Sequence, residues 1–304
     1  MFEKALVMCI YAETPIHPGS GAALGAVDLP IQRERHTEFP IIQGSSLKGV
    51  LRNAAEDVGI TGTIKIKEGN KEVEEKWVDI IFGEQERMGG ISVTDARILA
   101  FPVRTLKGVF GWITSPLVLD RFRRDLGLAG IKVSWNIPKP TSDEEAKICK
   151  NSNLTEEYVY IEDLQLKCSE DENVNRIAEE MAKGLPSSNE YKELREKLKK
   201  DLIVVSDNVF RDLVLLTTEV VTRIKIDPVT GTVKTGALWS EEYLPTDTLM
   251  YTLILIPSRL NTLKPEDVEK KIMSYDEKIL QIGGDETTGK GFARVKMLRG
   301  DKNA

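Results

Sequence analysis

The sequence predicts an α+β fold built on a ferredoxin-like sheet of the RNA-recognition-motif type, and two strand-helix-strand patterns carry that prediction. The first pattern, near the N-terminus, has an apolar strand, an amphipathic helix and a second strand at residues 6–12, 47–58 and 91–100. The second, near the C-terminus, has the same kinds of element at residues 250–256, 265–275 and 292–298. One sheet of this type with insertions is the simplest arrangement that satisfies both patterns. Because no internal repeat indicates a second such sheet, we expect a single domain over the 304 residues.

The segment between the first strand and the first helix has the most distinctive local composition. Residues 18–30 are rich in Gly and Ala and lack the apolar spacing of a packed helix. We therefore expect an ordered loop whose backbone lies close to a ligand. Asp28 lies inside that loop. For an isolated aspartate in such a loop, an ordinary turn carboxylate is the common alternative to a catalytic role.

The first helix is predicted to begin at Gly44-Ser45-Ser46, with a serine as its N-cap. Its apolar face consists of Leu47, Val50, Leu51, Ala54, Ala55 and Val58. Lys48 and Arg52 lie one turn apart at the edge of that face. Free N–H groups at a helix N-terminus, two serine hydroxyls and two cations together indicate a phosphate-binding site. A capped amphipathic helix with solvated basic residues is the alternative.

Residues 61–88 are highly charged and suit an exposed hairpin or flap. Its turn is predicted at Glu68-Gly69-Asn70, and the flap could cover the loop that holds Asp28. Two strands and a proline-started helix are predicted to follow at residues 91–100, 110–114 and 116–126.

Residues 132–204 are expected to form an acidic helical insertion, with helices in residues 173–200 interrupted by Gly184-Leu185-Pro186. The formal net charge of the chain is −6, which by itself argues against a nucleic-acid partner. Residues 141–200, however, hold 15 acidic and 10 basic residues and so carry nearly all of the excess negative charge. The rest of the chain can therefore form a local basic groove.

Residues 220–226 and 232–239 are predicted to form a β-hairpin that projects from the body, within the region 220–245. The reason is the strong turn sequence DPVTG at residues 227–231 between the two strands.

The segment from Gly284 to Gly291 comes within one residue of a Walker A loop. It differs at two points, because Gly291 follows Lys290 where a magnesium-binding hydroxyl is needed, and because it leads into a strand and not a helix. We interpret it as a glycine-rich turn whose backbone and Lys290 approach a phosphate group, with a plain hairpin loop as the alternative.

Composition predicts a cytoplasmic protein without a membrane-spanning segment. Three scattered cysteines do not suggest a disulfide framework, and the short apolar run at residues 5–12 is neither a signal peptide nor a spanning helix. His17 and His36 are too few and too far apart to suggest a metal pair. Ser115 and Cys9 lack partners at the spacing that nucleophilic catalysis requires, so no hydrolase triad is expected.

Four segments of the chain form a recognisable set. They are HPGSGAALGAVDLPIQRERHTEFPIIQGSSLKGVLR at 17–52, Phe82-Gly83, GGISVTDARILAFPVRTLKGVFGWITSP at 89–116 and GGDETTGKGFARV at 283–295. This set resembles the RAMP superfamily of CRISPR effector complexes, and within it the backbone subunits of the type III-B (Cmr) complex. The resemblance implies a single RAMP domain, with a palm, a thumb formed by the hairpin region and a helical subdomain formed by the acidic insertion.

The resemblance also implies an endoribonuclease. Asp28 matches the essential cleavage residue of the family, and His17, Glu241 and Tyr243 match positions that the family places near the cut. Attack of a 2′-hydroxyl on the adjacent phosphate would leave 2′,3′-cyclic phosphate and 5′-hydroxyl ends. One carboxylate can serve this reaction by binding a divalent cation, Mg²⁺ or Mn²⁺, or by acting as the base. The metal ligands do not follow from the sequence.

The residues expected to bind RNA are Ser45, Ser46, Lys48, Arg52, Gly283, Gly284, Gly289, Lys290 and Gly291. The implied partners are a CRISPR guide RNA, a single-stranded target RNA, copies of this chain in a helical stack and other Cmr complex subunits. Two alternatives stay open at this point. One is a non-catalytic subunit that coats the guide RNA. The other is a guide-precursor-processing ribonuclease, which usually relies on a catalytic histidine, and the lack of a second palm counts against it.

Overall fold

A computed structural model describes residues 2–68, 71–85, 87–154, 157–258 and 263–300 of the chain. The strands in these residues are, in chain order, β1 (Phe2–Ala12), β2 (Ile41–Ile42), β3 (Thr63–Glu68), β4 (Lys71–Lys76), β5 (Ser92–Val93), β6 (Ala96–Arg104), β7 (Phe110–Thr114), β8 (Glu145–Ile148), β9 (Tyr158–Ile161), β10 (Leu164–Glu170), β11 (Leu202–Val204), β12 (Glu219–Ile226), β13 (Val233–Tyr243), β14 (Leu249–Pro257), β15 (Ile279–Gln281) and β16 (Phe292–Leu298). The α-helices are α1 (Gly44–Asn53), α2 (Trp77–Phe82), α3 (Pro116–Leu128), α4 (Glu172–Ala182), α5 (Lys192–Asp201), α6 (Asp207–Leu216) and α7 (Pro265–Ile272).

Twelve of these strands form one mixed sheet. Its hydrogen-bonded order is β15-β16-β1-β14-β6-β7-β11-β8-β10-β9, with β2 beside β6 and β5 beside β14. Strand β1 is central, because Cys9 pairs with Tyr251 of β14 on one side and with Lys296 of β16 on the other, both antiparallel. Residues 6–12 of β1 are buried, as their continuous apolar run requires. The α+β class predicted from the sequence is confirmed.

Helices α1 and α7 pack on this sheet through their apolar stripes. Leu47 and Leu51 of α1 are buried, as are Val268 and Ile272 of α7. The hydroxyl of Tyr275, just after α7, donates to the main-chain carbonyl of Leu51 and so joins the two helices. Both predicted strand-helix-strand patterns are therefore present, each with its helix against the sheet.

The predicted serine N-cap of α1 is wrong. The N-cap residue is Gln43, and Ser45 and Ser46 lie exposed inside the first turn. The N–H of Gly44 donates to the Asp95 side chain at 2.8 Å. A carboxylate from a distant segment therefore satisfies one of the free N–H groups of the first turn.

The prediction of an acidic helical insertion at 132–204 is incomplete. Its two helices are present as α4 and α5, but the segment also contains β8, β9 and β10, and β8 pairs with β11 to extend the central sheet. These strands are difficult to detect because little of them is apolar and buried. In β10 only Leu166 is buried among seven residues, so the alternation is weak.

Strands β3 and β4 form the hairpin predicted in the flap region 61–88, and they pair with each other in a separate two-stranded sheet. Ile66 of this hairpin packs against Ile80 of α2 and against Leu263. The predicted turn at Glu68-Gly69-Asn70 includes positions 69 and 70, which lie outside the described residues. Helix α2, which follows the hairpin, was not predicted, nor were α6 and β15.

Strands β12 and β13 form the predicted projecting hairpin, again as a separate two-stranded sheet. Its distal residues are exposed, and the Val229 side chain at its tip is 91% exposed. The base of the hairpin is different, because β13 ends in three buried residues, Glu241, Glu242 and Tyr243. This change from exposed tip to buried base places polar side chains where the hairpin joins the body.

In the part of the chain that the structure describes, none of the helices has the length and apolar character needed to span a bilayer.

Candidate active site

Strand β13 organises the candidate site, because both of its edges are paired where it enters the body. One edge pairs with β12, and the other pairs with the Gly/Ala-rich loop and its flanks. Leu29 donates its N–H to the Ser240 carbonyl at 3.0 Å, and its own carbonyl accepts from the Glu242 N–H at 3.0 Å. Ile16 forms a second bridge, with Leu244. The predicted ordered loop is therefore held along β13, and the residues before it are held just after β13.

Asp28 lies at this edge with an exposed side chain that is nevertheless fixed. Its carboxylate Oδ2 accepts the Ser240 N–H at 2.7 Å and the Ser240 hydroxyl at 2.9 Å. Its own N–H donates to the Ser240 Oγ at 3.0 Å. The N–H and then the hydroxyl of Ser240 hold the pKa of Asp28 below its usual range, because both stabilise the charged form.

His17 contacts the same edge of β13 at Glu242, two residues after Ser240. Its Nδ1–H donates to the main-chain carbonyl of Glu242 at 2.6 Å, and its ring lies 5.5 Å from the Tyr243 ring, centroid to centroid. Because a carbonyl can only accept, this bond places the proton of the neutral imidazole on Nδ1 and leaves Nε2 as an acceptor. A Cβ at Gly19 would lie 2.6 Å from Nε2, so a side chain there would block this atom.

Glu241 and Tyr243 point to the other side of β13 from Ser240 and meet Arg223 of β12. Arg223 donates to the Glu241 carboxylate at 2.8 Å and to the Tyr243 hydroxyl. The hydroxyl of Tyr243 also contacts Glu241, and the Trp239 indole N–H donates to Glu241 at 2.7 Å. Burial raises the pKa of Glu241, but hydrogen bonds from Trp239, Tyr243 and Arg223 outweigh it, so the net pKa is lowered.

The glycine-rich loop closes over this cluster. The Tyr243 hydroxyl lies 2.7 Å from Asp285 Oδ2, and the Lys290 ammonium lies 5.1 Å from the centre of the Tyr243 ring. The Gly284 N–H donates to the His17 carbonyl at 3.1 Å. This approach requires glycine at 283, where φ is +85° and a Cβ would lie 2.3 Å from the His17 carbonyl oxygen.

A buried ion pair locks the loop to the base of the hairpin. Glu242 accepts from the Arg33 guanidinium at 2.6 Å and from the Ile31 N–H at 3.0 Å. Arg33 also donates to the main-chain carbonyls of Glu38 and Val214. Because the partners come from residues 31–38, α6 and β13, this contact joins three separate segments around the site.

The basic residues of α1 have their contacts in another part of the molecule. Lys48 donates to the Ile91 carbonyl at 3.1 Å, and burial, followed by the charge of Arg52, lowers its pKa. Arg52 donates to Asp79 at 2.6 Å and to the Gly83 carbonyl. One cluster therefore contains His17, Glu241, Tyr243 and the glycine-rich loop. Asp28 binds β13 at Ser240, two residues before the carbonyl that binds His17. The basic residues of α1 instead contact residues 79–91.

Comparison with known proteins identifies the family of the chain. The RAMP superfamily profile matches residues 9–294. The chain belongs to the RAMP superfamily. It is 44% identical over 300 residues to the CRISPR system Cmr endoribonuclease Cmr4 of Pyrococcus furiosus, covering 97% of this chain and 96% of that one. Oligomeric Cmr4 from the same organism matches with a TM-score of 0.74 at 38% identity, covering 97% of this chain and 98% of that one.

A more distant structure shows the same RAMP fold. The type III-B Cmr-beta complex bound to cognate target RNA contains a chain that matches with a TM-score of 0.70, covering 97% of this chain and 98% of that chain. Its identity is 19%, so this likeness concerns the fold alone.

Six polar residues of the site were not predicted from the sequence. They are Arg223, Trp239, Ser240, Glu242, Asp285 and Arg33. Two of them, Arg33 and Asp285, lie within the segments that resemble the RAMP superfamily. The two consecutive acidic residues that follow the predicted strand could have indicated Glu242, because acidic side chains are rarely buried unless a positively charged partner binds them. Ser240 carried no local signal, because its partner Asp28 lies 212 positions away.

The donor atoms available for a cation in this RAMP chain are few. In the described ranges, no group of three or more His, Cys, Asp or Glu side chains is arranged to hold a metal ion. Asp28 nonetheless offers a carboxylate oxygen, Oδ1, to which no described residue donates a hydrogen bond. A single carboxylate completed by phosphate oxygens and water is a common mode of magnesium binding, so the donor set fits such an ion.

Proposed function

We propose that this protein is the endoribonuclease subunit of a type III-B CRISPR effector complex. It coats the guide RNA as a repeating subunit and cleaves the complementary target RNA at regular intervals. The observation that carries the proposal is the 44% identity, over 97% of the chain, to a protein named as a Cmr endoribonuclease. Asp28, which matches the family's cleavage residue, is held at an exposed strand edge by Ser240, and His17 binds the same strand two residues further along, at Glu242.

The proposed reaction is attack of a target 2′-hydroxyl on the adjacent phosphate, which leaves 2′,3′-cyclic phosphate and 5′-hydroxyl ends. It requires a group that accepts or orients the hydroxyl proton, and charge that stabilises the phosphorane. Asp28 is ionised and exposed, so it can act at the hydroxyl. The Nε2 atom of His17 is an acceptor in the neutral ring and can take part in proton transfer on the same strand edge. Lys290 supplies a positive charge beside Tyr243.

A divalent cation, Mg²⁺ or Mn²⁺, is part of this proposal. Asp28 Oδ1 would hold it together with RNA phosphate oxygens and water. When bound, such an ion neutralises phosphate charge and lowers the pKa of coordinated hydroxyl groups. The protein residues then position the target strand, since the 2′-hydroxyl must come close to in-line with the bond that breaks.

Glu241 and Tyr243 are proposed to lie near the scissile bond and to hold the surrounding residues in place. Their side chains are buried and bound to Arg223, Trp239 and Asp285, so they connect the hairpin to the glycine-rich loop. Loop residues Gly283, Gly284, Gly289, Lys290 and Gly291, together with Ser45, Ser46, Lys48 and Arg52 of α1, are proposed to bind RNA. Exposed Ser45 and Ser46 support the α1 surface as a contact for the phosphate backbone.

The four strands β16, β1, β14 and β6 are proposed to be a ferredoxin-like palm. Their order, with antiparallel neighbours and with α1 and α7 in the two connections, is the split β-α-β arrangement. The exposed hairpin β12–β13 is then the thumb.

The proposed partners are the guide RNA, the target RNA, further copies of this chain and the other Cmr subunits. The 44% identical relative named as a Cmr endoribonuclease and the similar structure of oligomeric Cmr4 support this choice. A chain that stacks on itself along a guide presents Asp28 once per subunit, which is the reason to expect cuts at regular spacing.

The decisive experiment is Asp28→Asn in the complex reconstituted on guide RNA. Cleavage of labelled complementary RNA should fall by at least about 100-fold, because the substitution removes the charge and keeps the volume. Assembly on a native gel should be unchanged. Asp163→Asn, at another exposed turn, is the matched control and should cleave normally. If Asp28→Asn retains more than about a tenth of the rate, Asp28 is not the key group. An unchanged rate is the result expected of a subunit that coats the guide without cutting.

A further inference from the structure

Asp28 and Ser240 form a reciprocal pair that the proposed reaction does not by itself explain. Ser240 donates its N–H and its hydroxyl to one oxygen of Asp28, Oδ2, at 2.7 and 2.9 Å. Asp28 returns its own N–H to the Ser240 Oγ at 3.0 Å. The hydroxyl is thus a donor and an acceptor within one closed ring, between residues 212 positions apart.

An exposed aspartate in a glycine-rich loop ordinarily samples several rotamers and is solvated. Here both hydrogen bonds converge on Oδ2, so the carboxylate is held by one oxygen. The other oxygen, Oδ1, receives no hydrogen bond from the described residues. The consequence is an exposed carboxylate in which Ser240 binds one oxygen, Oδ2, and leaves the other, Oδ1, for another partner.

We propose that Ser240 is a positioning residue for RNA cleavage, which fixes the Asp28 carboxylate through Oδ2 and presents Oδ1 to the target strand. This inference rests on the proposed role of Asp28 in cleavage. Ser240 acts through Asp28 and not on the RNA. Since Ser240 belongs to β13, it also makes the position of Asp28 depend on the base of the hairpin.

The same contacts keep Asp28 charged. A carboxylate that accepts an N–H and an O–H is favoured over its protonated form, so its pKa is held below its usual range. Removal of the hydroxyl alone leaves the main-chain N–H in place. We therefore expect Ser240→Ala to loosen the carboxylate without releasing it.

The test compares Ser240→Ala, Ser240→Thr and Ser20→Ala in the complex assembled on guide RNA. Ser20 lies in the same loop, and its hydroxyl donates to the Pro30 carbonyl and not to Asp28, which makes it the matched control. Two quantities are measured separately, the single-turnover cleavage rate at saturating complex and the Kd for a target RNA.

Ser240→Ala should lower the cleavage rate by about tenfold, the scale of one hydrogen bond to a charged group, and leave Kd unchanged. Ser240→Thr keeps the hydroxyl and should restore the rate to within about twofold. Ser20→Ala should behave as the unmodified protein. A structural role alone would alter assembly or Kd and would not separate threonine from alanine.

The variant Asp28→Asn is measured beside them. If Ser240→Ala cleaves like the unmodified protein while Asp28→Asn is inactive, this inference is overturned and the proposed function stands. If Asp28→Asn cleaves normally, both fail.

Discussion

The Arg223 guanidinium lies between Glu241 and Tyr243, donating to the Glu241 carboxylate at 2.8 Å and to the Tyr243 hydroxyl. Asp285 of the glycine-rich loop meets the same hydroxyl and lies 3.7 Å from Arg223. One arginine thus balances two carboxylates at the junction of the hairpin, the loop and the body. Glu241 is 6% exposed, so its charge depends on this partner.

Arg223→Ala should therefore destabilise the chain. It leaves the Glu241 carboxylate buried without its cation, at a cost of about 1–3 kcal/mol for an unsatisfied group. The thermal midpoint of the isolated chain should fall by several degrees. Adding Glu241→Gln should recover part of the loss, because the buried charge is then gone. Arg211→Ala is the control, since Arg211 pairs with the neighbouring Asp212 at the surface. An Arg223→Ala protein that melts like the parent would show that the contact is not stabilising.

Sequence alone could not predict the contact between Arg223 and Glu241, although it did predict the hairpin that makes it. Near the turn, Ile226 pairs with Val233, and a regular ladder from there would place Arg223 opposite Gly236. The register shifts between Ile224 and Ile226, so that Arg223 faces Trp239. This irregularity moves Arg223 three positions along β13, next to Glu241. The turn residues that predict a hairpin carry no information about such a shift.

The central strands and main helices were predictable because their apolar patterns are strong. Strand β7, for example, occupies Phe110–Thr114 as predicted, and β16 occupies Phe292–Leu298. The site was predictable only in part. The long N-terminal signature identified His17 and Asp28 as candidates, but their partners Glu242 and Ser240 belong to a strand more than 200 positions away. Long-range pairings of this kind depend on the whole topology and not on local sequence.

Removal of divalent cations tests the role proposed for Asp28 Oδ1. EDTA should reduce target cleavage by at least about 100-fold, because the Asp28 carboxylate is itself an anion and cannot neutralise the charge at the phosphate, whereas a bound cation does. Excess Mg²⁺ or Mn²⁺ should restore it. Target binding measured in the same buffers is the control and should change little. Full cleavage in EDTA would mean that Asp28 acts as a base without a cation.

Lys48→Ala together with Arg52→Ala should weaken guide RNA binding with little dependence on RNA sequence, because phosphate contacts position the strand without reading it. The slope of log K against log salt should decrease by about 1.4, the value for two phosphate contacts to a single strand. The measurement is a binding titration at four salt concentrations. Arg124→Ala on α3, an exposed residue paired with Asp120, is the control.

The α1 residues also have contacts within the protein, and a second measurement separates the two effects. Arg52 is bound to Asp79 and Gly83, so its loss should lower the thermal midpoint as well. Asp79→Asn weakens that ion pair and leaves both cations in place. If Asp79→Asn reduces RNA binding as much as the double substitution, the double substitution weakens binding by destabilising the helix and not by removing phosphate contacts. An unchanged salt slope in the double variant would show that neither cation meets a phosphate.

The projecting hairpin is expected to insert between guide and target and to displace one base pair at each subunit. A displaced nucleotide frees its ribose from the A-form geometry, so that its 2′-hydroxyl can approach the in-line position. Replacing residues 225–237 by Asn-Gly joins the Ile224–Leu238 pair with a tight turn and leaves Arg223 and Ser240 unchanged.

This trimmed protein separates the geometry of the target from the chemistry of Asp28. Ser240 lies outside the replaced residues, so the Asp28 carboxylate should keep its position and its charge. Unstacking costs a few kcal/mol per step, and without the hairpin nothing offsets that cost, so the target should stay in a regular duplex and escape cleavage. Assembly on the guide and the Kd for target are the controls, and the cuts are mapped on a sequencing gel. Unaltered cuts at unaltered spacing would mean that the body of each subunit sets the scissile geometry.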